Sequence, residues 1–188
     1  GQSQSASRLA TYYNAVHATI DLFDGFVIHG RGRGSSSALS EQPQADVPTP
    51  NIVFIRTDLP EQVIALQNET DVPGSIAARQ ADSAAYRMWE VSGSTHTDLY
   101  TTLTGNADIG DDPTYADVKE QNDARPPFIF CAIPVNDGPA HWAANAAIAS
   151  LDNWIRFGEP APSAPFMAWN AEQADFELDE LGNAKGGI

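Results

Sequence analysis

The first five residues, Gly-Gln-Ser-Gln-Ser, place a serine between small residues directly before a segment with helical periodicity. Where a strand turns sharply into a helix, a small residue two positions earlier relieves crowding and the Ser3 hydroxyl is held exposed. The helix N-terminus offers N–H groups and a partial positive charge to a developing oxyanion. This nucleophile elbow departs from Gly-x-Ser-x-Gly because Ser5 stands at the second glycine position. The pattern predicts Ser3 as an acyl-transfer nucleophile and the backbone N–H of Gln4 as an oxyanion donor.

An acid and a histidine follow two predicted strands farther along the chain. Asp71 comes after the buried segment 62–67, and His96 comes after the segment 86–91. In open sheets of parallel strands, ligand sites lie outside the carboxyl ends of the strands, so both side chains are expected near Ser3. The order serine, acid, histidine is one known order of a catalytic triad. We therefore expect His96 to take the proton from Ser3 while the Asp71 carboxylate orients the imidazole.

Other residues compete for these roles. Glu69 is an alternative acid because it flanks the same strand end as Asp71, although Asp71 is favoured. His17 lies at a predicted helix end, where free carbonyl groups are common partners. His29 follows a strand and is expected to make structural contacts, with a place in the pocket wall left open. His141 opens a long predicted helix and either borders the site or has a structural role.

The elements that must position these residues alternate between strands and helices. Apolar residues at a spacing of three and four predict a first helix over about 5–18 and a long helix over about 139–157. Runs rich in β-branched and aromatic residues predict buried strands at 26–28, 62–67 and 86–91, with a short extended piece at 52–55 and a short helix near 115–120. Such alternation predicts an α/β fold with a mostly parallel sheet and flanking helices.

Composition excludes several classes of partner. The chain has 188 residues and a formal net charge of −15, from 25 acidic and 10 basic residues. Nucleic acid and anionic membranes are therefore poor partners. No apolar run approaches the roughly 20 residues that span a bilayer. The four histidines are far apart in sequence and there is a single cysteine, so no metal site and no cofactor is predicted.

Several segments together resemble a family of α/β-hydrolase-domain proteins. They run from the first residue to the last, at residues 1–12, 14–17, 23–26, 55–59, 69–71, 78–80, 89–93, 95–96, 136–139, 143–154 and 181–188. The resemblance implies the α/β-hydrolase fold and hydrolysis of a small-molecule ester, with Ser3, Asp71 and His96 at the triad positions. It supplies neither the acyl group nor the alcohol of the substrate.

In that family, the strand that feeds the elbow and the strands carrying the second oxyanion donor precede the position of Gly1. We therefore interpret residues 1–188 as the C-terminal part of a single α/β-hydrolase domain, with loop insertions near 31–50 and 98–127, and expect this segment alone to be inactive. Neither a cellular location nor an oligomeric state is predicted. Two alternatives to the esterase remain: a non-catalytic binding module of the same fold, and a lactonase or peptidase that uses the same triad.

Overall fold

Three parallel strands form the centre of the protein. The computed structural model describes residues 1–34, 48–98, 100–101, 136 and 138–188. Strands β1 (Gly25–His29), β2 (Gln62–Asn68) and β3 (Tyr86–Val91) pair side by side in that order. In register, His29 lies opposite Leu66, and Asn68 lies opposite Val91. The carboxyl ends of all three strands therefore lie at one edge of the sheet.

A first helical segment covers one face of the sheet. Helix α1 (Gln4–Tyr12) continues through a π-helical turn (Tyr13–His17) into the short helix α2 (Ala18–Ile20). The segment thus starts one residue before the predicted helix and ends two residues later. It ends where Asp21 adopts a left-handed conformation and its N–H donates to the His17 carbonyl at 2.8 Å. Alternate residues of the strands meet this face in one buried cluster: Ala6, Ala10, Tyr13, Phe26, Ile28, Ile55, Val63, Ala65, Tyr86 and Met88.

A long helix covers the other face. Helix α4 (Ala140–Phe157) ends at Gly158, whose left-handed conformation closes the last turn, and Pro160 follows two residues later. Its Ala147, Leu151 and Trp154 side chains pack on Ile64 and Leu66 of β2. The two faces of β2 are thus both buried, which explains its continuous apolar sequence. The predicted strands match β1 to β3 to within one residue at each end, whereas residues 52–55 form no strand.

The C-terminal part adds a small antiparallel unit. Strands β4 (Trp169–Asn170) and β5 (Asp175–Phe176) form a hairpin that the sequence analysis missed. The Trp169 and Phe176 rings meet edge to face at a centroid distance of 5.2 Å. The connection between β2 and β3 contains a 3-10 turn (Glu69–Asp71), helix α3 (Val72–Ser75) and a second 3-10 turn (Ile76–Ala78).

Some expectations fall outside the described part of the chain. These are the predicted helix near 115–120, most of the insertion near 31–50 and nearly all of the insertion near 98–127. In the segments that the structure describes, no helix is both long enough and apolar enough to cross a membrane.

A buried ion pair fastens the C-terminal part to β3. Glu90 is 0% exposed, and its carboxylate accepts from Arg79 Nε at 2.7 Å and Nη2 at 2.8 Å. The same carboxylate accepts from the Met167 N–H at 2.7 Å, and Arg79 Nη2 also donates to the Met167 carbonyl at 2.9 Å. Every oxygen of this buried carboxylate thus has a donor.

Replacing Arg79 by Met should destabilise the protein strongly. The substitution leaves the Glu90 carboxylate buried without its cation, and loss of one partner of a buried pair typically costs about 3–5 kcal/mol. The measurement is the free energy of unfolding in urea. The matched control is Arg156→Met, which breaks an exposed pair with Asp152 on α4 and should cost no more than about 0.5 kcal/mol. A similarly small decrease in the free energy of unfolding in both variants would contradict a stabilising role for the Arg79–Glu90 pair.

Candidate active site

Ser3 lies beside the carboxyl end of β1 in a strained conformation. Its φ of 58° and ψ of −127° are unusual for a residue with a side chain. The Ser3 N–H donates to the His29 carbonyl at 2.9 Å, and the His29 N–H donates to the Gly1 carbonyl at 2.9 Å, so the chain pairs with β1 until α1 begins. A Cβ atom on Gly1 would lie 2.9 Å from the Ser5 carbonyl oxygen. The sharp turn therefore needs glycine two positions before Ser3.

The His96 imidazole lies within hydrogen-bond distance of both Ser3 and Asp71. His96 Nε2 is 2.9 Å from Ser3 Oγ, and His96 Nδ1 is 2.6 Å from Asp71 Oδ1. A carboxylate can only accept, so Nδ1 carries the proton and Nε2 is left to accept from the Ser3 hydroxyl. The Asp71 side chain is 8% exposed, whereas that of His96 is 37% exposed. The Asp71 carboxylate is thus largely buried, whereas the His96 imidazole is partly open to solvent.

Asn68, at the end of β2, fixes the position of the Asp71 carboxylate. Asp71 Oδ2 accepts from the Asn68 backbone N–H at 3.0 Å and from its side-chain amide at 2.9 Å. These bonds leave Oδ1 free to face His96. The Asn68 amide nitrogen is also 3.0 Å from His29 Nε2. Asn68 was not singled out in the sequence, although its position three residues before Asp71 allows this capping arrangement of the 3-10 turn.

Glu69 contacts the loop that carries His96, not the imidazole. Its Oε2 accepts from the Gly93 N–H at 2.8 Å, and its own N–H donates to Ser94 Oγ at 3.3 Å. Thr70 adds a third hydrogen bond to this loop, since its Oγ1 accepts from the His96 N–H at 2.8 Å. The turn that presents Asp71 therefore also positions the histidine loop. Of the two candidate acids, only Asp71 reaches His96 within the described structure.

A cavity of about 260 Å³ opens beside His96. Its described walls come from the elbow, the end of β1, the histidine loop and the start of α4, and consist of Gln2, His29, Thr95, His96, Tyr100, Thr101, Ala140, His141 and Ala144. None of these residues is an acid, a lysine or an arginine. The full set of walls was not foreseen, because these residues meet only after α4 packs on the sheet.

The other histidines have distinct environments. His29 lines the cavity, and burial lowers its pKa, which favours the neutral ring. His141 also lines the cavity and stacks on Tyr100 at a centroid distance of 4.0 Å. Both thus border the site, a possibility left open by the sequence. His17 is buried away from the cavity, and its ring bonds to no described carbonyl group, contrary to the expectation for a helix-end histidine.

Residues 1–188 match the family model described as the alpha/beta hydrolase domain. The match confirms the family resemblance and the fold predicted from the sequence, and it indicates hydrolase activity in general. No curated protein and no solved structure shows significant similarity to the chain.

Replacing Gly30 by Ala should loosen the hydrogen bond between Asp71 and His96. Gly30 has a φ of +61°, and a Cβ atom there would lie 3.0 Å from both Asp71 Oδ2 and His96 Nδ1. We expect the free energy of unfolding to fall by about 1–2 kcal/mol because of the left-handed backbone alone. The NMR signal of the His96 Nδ1 proton should shift upfield. Gly32→Ala is the control, because no described atom lies within 4 Å of its Cβ position. An unchanged Nδ1 proton in Gly30→Ala would refute the proposed crowding.

Proposed function

Because the chain belongs to the alpha/beta hydrolase family, we propose that it is a serine hydrolase that cleaves carboxylic esters through Ser3, His96 and Asp71. The observation that carries the proposal is the continuous chain of hydrogen bonds from Ser3 Oγ through the imidazole to Asp71. Such a chain lets the imidazole take the serine proton during attack and lets the carboxylate stabilise the imidazolium that results.

The proposed reaction proceeds through an acyl-enzyme. Ser3 Oγ attacks the ester carbonyl carbon while its proton passes to His96 Nε2. The tetrahedral intermediate collapses, the bond to the alcohol oxygen breaks, and the imidazolium returns the proton to the departing alcohol. Water then repeats the sequence on the acyl-enzyme, with its proton passing to His96 and then to Ser3, which releases the carboxylic acid.

The start of α1 provides the proposed oxyanion site. Gln4 is the first residue of this helix, and the first N–H groups of a helix have no carbonyl partner within it. The backbone N–H of Gln4 therefore offers a hydrogen bond to the negative oxygen, and the partial positive charge of the helix end adds to it. Removing one such donor in other serine hydrolases costs about 10²–10³ in kcat.

The cavity supports a small uncharged substrate group. Its described walls combine two alanine side chains with hydroxyl, amide and imidazole groups, and carry no permanent charge. A volume of about 260 Å³ holds a short acyl or alcohol group, because drug-sized ligands occupy roughly 300–1,000 Å³. An ester is neutral and has a polarised carbonyl, which suits these surroundings.

A fluorophosphonate probe tests the nucleophile. In the full-length protein the probe should label Ser3, and Ser3→Ala should abolish labelling and lower kcat on short p-nitrophenyl esters by on the order of a million-fold. Ser5→Ala is the matched control, since Ser5 lies two residues away on the exposed surface of α1 and should retain both properties. A folded protein that the probe does not label would instead favour a binding module. Faster turnover of lactones or peptide anilides than of esters would favour the lactonase or peptidase.

Matched amide substitutions test which acid orients the histidine. Asp71→Asn should lower kcat by about 10⁴, because an amide cannot hold the imidazole in the required tautomer. Glu69→Gln retains an oxygen that can accept from Gly93, so its kcat should stay close to that of the unsubstituted protein. The measurement is kcat on the same ester for both variants, after circular dichroism has shown that they fold. The reverse order of effects would assign the acid role to Glu69.

A further inference from the structure

Three potential metal ligands meet at the end of the first helical segment, away from the catalytic residues. His17 ends the π-helical turn, Asp21 follows α2, and Glu61 directly precedes β2. One ligand atom from each lies within 4.8 Å of the others. No metal site is predicted from the sequence, because the four histidines are far apart and there is a single cysteine; Glu61 itself is 44 positions from His17. Folding brings them together because the end of α2 leads into β1, which pairs with β2 from Gly25 onward.

The His17 ring is buried but makes no hydrogen bond to a described residue. Its exposure is 1%, and neither Nδ1 nor Nε2 has a hydrogen-bond partner in the part of the chain that the structure describes. Tyr12, Tyr13 and Phe26 surround the ring at centroid distances of 4.9 to 5.9 Å. Buried polar groups almost always have a hydrogen-bond partner or a bound ligand. The unpartnered imidazole thus points to a ligand on the side that faces the carboxylates.

The separation of the imidazole and the carboxylate favours a shared metal ion over a direct hydrogen bond. His17 Nε2 lies 3.4 Å from Glu61 Oε2. This is longer than the usual hydrogen bond of about 2.7–3.2 Å. Two atoms bound to one tetrahedral ion, each about 2.1 Å from it, lie about 3.4 Å apart. The pair is therefore spaced as two ligands of one ion would be.

We propose that His17, Asp21 and Glu61 bind a divalent transition-metal ion such as Zn²⁺. One imidazole nitrogen and two carboxylate oxygens form a ligand set that this class of ion accepts, and the two carboxylates balance its charge. Asp21 is exposed, so a water molecule can reach the ion and serve as its fourth ligand. The net charge of −15 also raises the local concentration of cations around the protein.

The π-helical turn explains how His17 comes to face this site. A π-helical turn contains more residues than an α-helical turn, and one added residue rotates those that follow by about 100°. Such turns are frequently found at functional sites. The segment from Gln4 to Ile20 is about 25 Å long at about 1.5 Å per residue. The metal would therefore lie far from Ser3 and stabilise the attachment of the helical segment to β2, without a part in the proposed hydrolysis.

Equilibrium dialysis with Zn²⁺ tests the site in the full-length protein after treatment with a chelator. We expect one Zn²⁺ per chain that is lost or weakened in both Asp21→Asn and Glu61→Gln. We expect the affinity for Zn²⁺ to fall by at least roughly 10–100-fold, because removal of a residue that only hydrogen-bonds to a metal ligand already has an effect of that size. The control is Asp24→Asn, which removes the same charge from a nearby exposed position outside the cluster.

A thermal unfolding measurement provides the second readout. Zn²⁺ should raise the unfolding midpoint of the unsubstituted protein and of Asp24→Asn, and raise it much less in Asp21→Asn and Glu61→Gln. Fluorophosphonate labelling of Ser3 should be the same in all variants, so failure of the metal site and failure of the proposed hydrolase are distinguishable. Absence of Zn²⁺ binding, or binding that is equal in all four proteins, would overturn the proposal.

Discussion

Parallel pairing of β1, β2 and β3 determines where each loop that follows them begins. Gly30 donates to the Leu66 carbonyl at 2.7 Å, and the register continues to Asn68 opposite Val91. The three strands thus end in line, and side chains from 25 to 93 positions apart in sequence meet at one edge. A slip of one residue between β1 and β2 would turn the buried Phe26 and Ile28 side chains of β1 to the opposite face of the sheet. Burial of these side chains therefore also fixes where the candidate catalytic residues lie.

The two carboxylates in the turn after β2 have different hydrogen-bond partners. Glu69 and Asp71 lie two residues apart in a 3-10 turn, where each residue advances by about 120°. Their side chains must therefore point in different directions, one to the Gly93 N–H and the other to the imidazole. Thr70, between them, accepts from the His96 N–H. Three successive residues thus hold the histidine loop and orient its ring, so the proposed acid is part of the structure that positions the proposed base.

The strands and the long helix could be predicted because their signals are local. The continuous apolar run within 62–67 and the apolar stripe of the helix that ends at Gly158 depend on neighbours along the chain. The candidate triad followed from the same logic, since Asp71 and His96 each lie beyond a strand end and Ser3 directly precedes a helix. The choice between Asp71 and Glu69 did not, because it depends on which way each side chain leaves a turn that has no periodic pattern.

The features that were not predicted from the sequence depend on contacts between distant segments. The hairpin of β4 and β5 has only two residues in each strand, too few for a periodic pattern. The cavity needs α4 to bring His141 and Ala144 against the histidine loop. The cluster of His17 with Glu61 needs β1 and β2 to pair first. None of these features has a spacing in sequence that could reveal it.

The polarity of the first helical segment connects the two proposed sites. Backbone dipoles sum to about half a positive charge at a helix N-terminus and about half a negative charge at the C-terminus. The N-terminal end, at Gln4, faces the position where an oxyanion would form beside Ser3. The C-terminal end lies next to Asp21 and close to Glu61, and there the negative end of the dipole adds to the field of two carboxylates. The same segment therefore favours an anion at one end and a cation at the other, which is the charge pattern that ester hydrolysis at Ser3 and metal binding at His17 each require.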